Sequence, residues 1–227
     1  MNQDSTNVYL PSNHNSELSK TPSHKVTYSP PPPHDEPGLY HGLGVLSFAT
    51  ATLLLGISIW DGFDNGKLLS IFGFFIGGLG QLICGIMCFK YKYYIDGGVY
   101  FYFALNWAIN ACYDFFPVFG WMTPLNNREY GFHNLMGCLF TLIFFIQNLG
   151  NPSKITAVSF STTFIGFVFS TIGNFVDSKA LIKIGGIFNI ITAALAYYST
   201  FGMIINERYK KVYIPVLDGK KFMQKLD

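Results

Sequence analysis

Charge is scarce in this chain. Only 12% of its 227 residues are Asp, Glu, Lys or Arg, about half of what a soluble domain carries. There is too little polar surface to face water, which excludes an ordinary soluble globular domain. The charge that is present nets to +2 at pH 7, too small and too scattered for a nucleic-acid binder. Cysteine is also rare. Cys84, Cys88, Cys112 and Cys138 all fall inside apolar segments, and none sits in a connecting loop where an oxidising compartment could pair it. Cys84 and Cys88 share a helix face at i,i+4, but no His, Asp or Glu lies near them in sequence, so they read as small buried hydrophobes. Neither a metal site nor a structural disulfide is expected. Enzyme signatures are missing too: no phosphate-binding Gly-x-x-x-x-Gly-Lys run, no His/Glu metal spacing and no Gly-x-Ser-x-Gly elbow. No enzyme activity and no cofactor are expected. The first 36 residues hold no apolar core of a signal peptide, so the first hydrophobic helix is expected to direct insertion itself.

What the chain has in quantity is apolar and aromatic surface. Half of it is hydrophobic, with 23 Phe and 14 Tyr, and the mean hydropathy is +0.30. A membrane-spanning helix needs about 20 predominantly apolar residues. Six segments approach or meet that: 42–60, 68–89, 98–121, 132–149, 155–176 and 184–205. Their apolar runs are continuous and do not alternate, so no β-barrel is indicated. The expectation is an all-α, six-helix transmembrane domain over 37–206. In front of it, residues 1–36 are rich in Ser, Asn, Pro and His, end in the run Pro30–Pro33, and read as a disordered tail. Behind it, 207–227 form a basic tail. With six spans both termini share a side. The opposite side would hold Lys67, Arg128, Lys179 and Lys183, and the remaining 11 of the 15 Lys and Arg would lie with the termini, which places both termini in the cytoplasm. Trp60 and Trp121 fall at span ends, where interfacial aromatics belong.

Inside the spans, ionisable groups keep to the ends: Asp114 toward the end of the third, His133 at the start of the fourth, Lys183 before the sixth. Proton pumps and voltage sensors carry charge at depth; this chain fits neither. At depth lie uncharged polar side chains: Gln81, Asn106, Asn110, Gln147, Asn174 and Asn189. Each has two readings, interhelical hydrogen-bonding glue or pathway lining. Asn106 and Asn110, at i,i+4 with Tyr102 and Trp107 nearby, form the best single candidate for a polar pathway stripe.

The second segment is unusual in its glycines. Gly77, Gly78, Gly80 and Gly85 surround Gln81, and Gly73 with Gly77 makes a small-xxx-small pair. In a soluble helix each interior glycine costs about 1 kcal/mol relative to alanine; in a bilayer small residues let backbones approach. The run reads as a packing seam or a pore wall. The lack of charge at depth favours the seam, with Gln81 retained as a pathway candidate.

The run Gly77-Gly78-Leu79-Gly80-Gln81-Leu82-Ile83-Cys84-Gly85-Ile86-Met87 resembles the second-helix signature of the acetate uptake transporter family, which includes bacterial acetate–succinate permeases and fungal acetate and ammonia-export proteins. Gly42-Leu43-Gly44 resembles the start of that family's first helix, and the stretch from Gly185-Gly186 to Tyr197-Tyr198 resembles its sixth. Asn206-Glu207 with Tyr213-Ile214-Pro215 resembles its C-terminal end. The resemblance covers about residues 37–217, in order. It implies a six-helix protomer in a homo-oligomeric ring of six, in the lipid bilayer of the plasma membrane, each protomer with its own path for acetate or a related small monocarboxylate moved with protons. Ammonium or ammonia export is the second reading, suggested by the fungal branch of the family; a non-transporting membrane regulator or scaffold, with the Pro-rich tail as its partner-binding element, is a rival from another class. By the same resemblance Pro37, Gly38 and Leu39 stand at the family's opening motif and would meet substrate; Gln81 and Asn106 join them as substrate-binding candidates on their polarity at depth. An apolar constriction would fall at Leu43, Phe103 and either Thr162 or Thr163. Trp107 and Asn110 would border the path or pack, and Gly73, Gly77, Gly78, Gly85, Gly185 and Gly186 would pack helices. The chain departs from the family pattern at the opening motif, where only Pro37 clearly survives. It departs again at Tyr102-Phe103-Ala104, where a phenolic hydroxyl is lost, and at Cys88, where an acidic residue is usual.

Overall fold

A computed structural model describes residues 38–61, 66–148 and 154–216; the N-terminal tail, Pro37 and the chain beyond 216 lie outside the described residues. The described residues form helices and no strand. They are α1 (Gly38–Asp61), α2 (Gly66–Phe72), a π-helical stretch (Gly73–Gly80), α3 (Gln81–Lys90), α4 (Tyr94–Val118), α5 (Asn127–Asn148), α6 (Lys154–Phe175) and α7 (Lys179–Tyr209). α2, the π stretch and α3 follow one another directly, so there are six helical runs.

Among the described residues five stretches are long and apolar enough to cross a membrane: His41–Trp60, Leu68–Lys90, Asn127–Gln147, Ile155–Phe175 and Lys179–Tyr209. The sixth run, α4, has 25 residues, about 37 Å at 1.5 Å per residue. It matches the others in length but is diluted by Asn106, Asn110 and Asp114. Its polarity has a structural reason, because Tyr100, Phe103, Ala104, Trp107 and Ala111 are buried among the other helices. A strip including Phe101, Leu105 and Ile109 faces outward, and Tyr94, Ile95 and Val118 are exposed at the helix ends. The chain is a multi-pass helical membrane protein.

Several helices outrun their apolar segments because polar residues cap them. α5 begins at Asn127, five residues before the apolar run, because Asn126 and Glu129 form a reciprocal capping box: the Glu129 N–H donates to Asn126 Oδ1 (3.0 Å) and the Asn126 N–H to Glu129 Oε2 (2.7 Å). Ser178 caps α7, its hydroxyl accepting from the Leu181 N–H. α4 stops at Val118, before Trp121, because Gly120 turns to φ 71°. The Trp121 N–H then reaches back to Phe116 O (2.9 Å) and the Gly120 N–H to Pro117 O (3.0 Å), a left-handed C-terminal cap that glycine adopts without strain.

Packing runs from α5 to α6 to α7 to α1, then to the π stretch and α3, and on to α4. Small residues set the closest approaches. Gly185 and Gly186 serve two neighbours: a side chain at Gly185 would come within 3.0 Å of Gly166 O in α6, and one at Gly186 within 2.7 Å of Ile59 and 3.2 Å of Gly56 O in α1. The α4–α5 flank differs. These helices meet through long side chains: the Tyr102 and Phe140 rings stack with centroids 3.4 Å apart, and Tyr113 OH lies 3.3 Å from His133 Nδ1.

Candidate functional site

Where backbones do not approach, space remains. A cavity of about 230 Å³ lies between α1, α4, α5, α6 and α7. α4 contributes Phe103, Asn106, Trp107 and Asn110, spaced so that each is one turn or less from the next on one face. α5 contributes Tyr130, His133 and Asn134; α6 contributes Thr163, Gly166, Phe167, Ser170 and Asn174; α7 contributes Ile182 and Asn189. α1 supplies an apolar strip, Phe48, Leu55 and Ile59, interrupted by Thr52.

Five asparagines therefore converge on one space, and none of the described lining residues is Asp, Glu, Lys or Arg. Two amides are partly occupied by their own helices: Asn110 Nδ2 donates to Asn106 O (3.0 Å) and Asn174 Nδ2 to Ser170 O (2.7 Å). Among the described residues the side chains of Asn106, Asn134 and Asn189 make no hydrogen bond to protein. Two polar atoms of lining residues, Trp107 Nε1 and Thr52 Oγ1, also have no partner among the described residues, but they are themselves buried and do not open onto the cavity. Buried polar groups are nearly always hydrogen-bonded, and leaving one unpaired costs about 1–3 kcal/mol. A wall with this much open hydrogen-bonding capacity suits a small polar guest or water.

Aromatic rings crowd one end. Phe48 and Phe103 lie 4.9 Å apart between centroids and Phe103 and Phe140 5.8 Å. Phe140 continues to Phe144 at 4.5 Å, and Phe144 to Phe160 at 5.9 Å. The other end carries His133, Tyr130 and Tyr113, with the Tyr113 ring edge-on to both of the others. Asp114 is not part of the lining and takes a hydrogen bond from Ser70 on α2.

The residues singled out in the sequence separate into groups. Phe103, Asn106, Trp107, Asn110 and Thr163 meet at the cavity, as do Asn174 and Asn189. Thr162, the neighbour of Thr163, instead takes a hydrogen bond from Thr192 Oγ1 on α7 (2.7 Å). Gln81 is 1% exposed and is not part of the lining; its Oε1 has no partner among the described residues. Leu43 is 46% exposed and is not part of the lining. Gly38 and Leu39 open α1, Pro37 is outside the described residues, and Gln147 is exposed. Gly73, Gly77 and Gly78 are buried against α4, with Trp107 and the Ala104 carbonyl as nearest neighbours. Gly85, in α3, packs against Gly97 and Phe101 of α4.

Sequence reasoning passed over Thr52, Tyr130, Asn134 and Ser170. A signal was available in part: Tyr130–Asn134 and Ser170–Asn174 are polar i,i+4 pairs like Asn106–Asn110, each marking one helix face.

Fold and cavity together define a class: a helical, multi-pass membrane protein with a partly open, mainly apolar cavity between its helices, studded with uncharged polar side chains. Within that class the chain belongs to the GPR1/FUN34/yaaH family, whose pattern matches residues 23–218. It is similar to the succinate-acetate/proton symporter SatP of Escherichia coli strain K12, with 25% identity over 174 residues, covering 77% of this chain and 92% of that protein. It is also similar to an uncharacterized protein of Methanothermobacter thermautotrophicus, 24% identical over 183 residues, covering 76% and 88%. Among solved structures, the bacterial acetate channel SatP shares the fold with a TM-score of 0.75 at 23% identity, covering 78% of this chain and 97% of that one.

Proposed function

We propose that this protein is a plasma-membrane transporter or channel, not an enzyme, for acetate or a related small monocarboxylate. The path runs through the cavity between α1, α4, α5, α6 and α7. One observation carries the reading: five asparagines line a space whose described lining residues include no Asp, Glu, Lys or Arg. The similarity to proteins named for acetate and succinate supports the substrate class.

The chamber offers hydrogen bonds but no Lys or Arg to neutralise a carboxylate. An isolated buried charge costs several kcal/mol after relaxation, so the guest crosses together with its proton, as the undissociated acid. That is proton coupling carried on the substrate, without a buried relay. Phe48, Phe103 and Phe140 form the apolar neck on this path. The distribution of Lys and Arg supports cytoplasmic termini, and assembly into a homo-oligomeric ring follows from the family resemblance. The uncharged lining also suits ammonia, and alkalinisation of the medium by expressing cells that take up no acetate would favour that second reading.

Labelled acetate uptake by a null strain expressing the full chain tests the proposal. An increment at pH 5 that falls as pH rises is expected. No increment, with the protein at the cell surface, overturns the acetate reading.

A further inference from the structure

If charge is what this cavity refuses, the relevant feature of its guest is shape with hydrogen-bonding capacity, and acidity is incidental. We propose that the same cavity accepts short uncharged primary amides, with acetamide as the type case. The proposal rests on reading the cavity as the transport path, and it extends that reading to a second substrate class.

The argument begins with the wall. Asn106, Asn134 and Asn189 present side-chain amides that bond to no protein group among the described residues, and each carries both donors and an acceptor. Such a surface is neutral and bifunctional. It pairs with a guest that donates and accepts from adjacent atoms, as an undissociated carboxylic acid or a primary amide does. Acetamide is the near-isostere of acetic acid, with an NH₂ donor in place of O–H. It carries no charge at any physiological pH, so it never meets the desolvation penalty that excludes the anion.

The surroundings do not overturn that neutrality. The titratable lining side chains are His133 and Tyr130, both on α5. Facing them from α4 is Tyr113, whose OH lies 3.3 Å from His133 Nδ1 and whose ring is edge-on to Tyr130. The nearby carboxylates are engaged elsewhere: Asp114 with Ser70 and Glu129 with the Asn126 N–H. The space of about 230 Å³ admits a two- or three-carbon amide.

The test uses the purified full-length chain in proteoliposomes, with protein-free vesicles as baseline. Entry of acetamide and of acetate is followed by light scattering between pH 5.5 and 7.5. Protein-dependent acetamide entry is expected, unchanged across that range. Acetate entry should fall about tenfold per pH unit, since the undissociated fraction does so above an ordinary carboxyl pKa of about 4. Asn106→Leu removes a wall amide and should slow both solutes roughly five- to tenfold, the effect of a lost hydrogen bond or two; Asn189→Ala, which adds no bulk, should act in the same direction. Acetate entry with acetamide at baseline overturns this inference and leaves the acetate reading standing. Acetamide entry without acetate entry upholds the inference and overturns the acetate reading. Neither solute entering overturns both.

Discussion

The indole of Trp107 lies directly against Gly77: a Cβ built at Gly77 would stand 2.6 Å from Trp107 Cγ and 3.0 Å from the Ala51 Cβ. Gly73 borders the same ring at 3.4 Å. The glycine-rich π stretch contributes nothing to the cavity lining, yet it seats the tryptophan that does. A seam and a site are joined through one side chain.

Gly77→Ala should therefore be costly despite its size. The added methyl must push the indole or separate α1 from the π stretch, and overpacking of this kind costs about 1–3 kcal/mol. Because Trp107 lines the cavity, acetate uptake should fall together with the melting temperature in detergent. Gly98→Ala is the control, since a Cβ there meets nothing within 4 Å. A Gly77→Ala protein with wild-type melting and uptake would refute the coupling.

The paired threonines of α6 should behave oppositely. Thr163 lines the cavity while its hydroxyl donates to Ser159 O (2.7 Å), so Thr163→Leu should cut uptake several-fold with little change in melting. Thr162 accepts from Thr192 across the α6–α7 seam, so Thr162→Val should lower the melting temperature by an amount corresponding to about 1 kcal/mol and leave uptake nearly intact. Uptake and thermal melting of the two variants, measured side by side, distinguish pathway lining from helix glue.

Between α1 and α7 the contact is glycine on glycine. Gly186→Leu would drive a branched side chain into Ile59 and the Gly56 carbonyl, where close backbone approach is the source of attraction. The expected outcome is loss of surface expression by immunoblot of the membrane fraction, with the residual protein aggregated on size exclusion.

After α7 the chain turns back and is held by two side chains, chiefly Asn206. Asn206, 3% exposed, accepts from the Tyr213 N–H (2.8 Å) and the Ile214 N–H (3.0 Å) through Oδ1, and donates through Nδ2 to Ile214 O (2.7 Å). Tyr198 OH, two turns earlier, holds Pro215 O (3.0 Å). Asn206→Ala should release the strap and raise tryptic cleavage after Lys210 and Lys211 by at least several-fold. Asn206→Asp keeps the acceptor and loses the donor, so its cleavage rate should lie between the two.

Much of this was legible along the chain. Low charge, continuous apolar runs and ordered glycine motifs establish an all-helical membrane protein and its family without any coordinates, because lipid admits only segments that satisfy their own backbone. The stripe Asn106–Asn110 could be named because helical periodicity alone puts those residues on one face. What one helix cannot reveal is what that face meets. Gln81 has the same polarity and comparable depth in sequence, yet it is buried in the wall beyond the lining, whereas Asn134 and Thr52 line the cavity. Whether a neutral polar side chain serves as glue or as lining depends on the gap left between neighbouring helices. That gap is set by contacts remote in sequence: glycines drawing α1, α6 and α7 together, and Tyr102, Phe140, Tyr113 and His133 holding α4 and α5 apart. The sequence determined the helices and their solvent; the tertiary packing decided which of their polar groups would share an empty space.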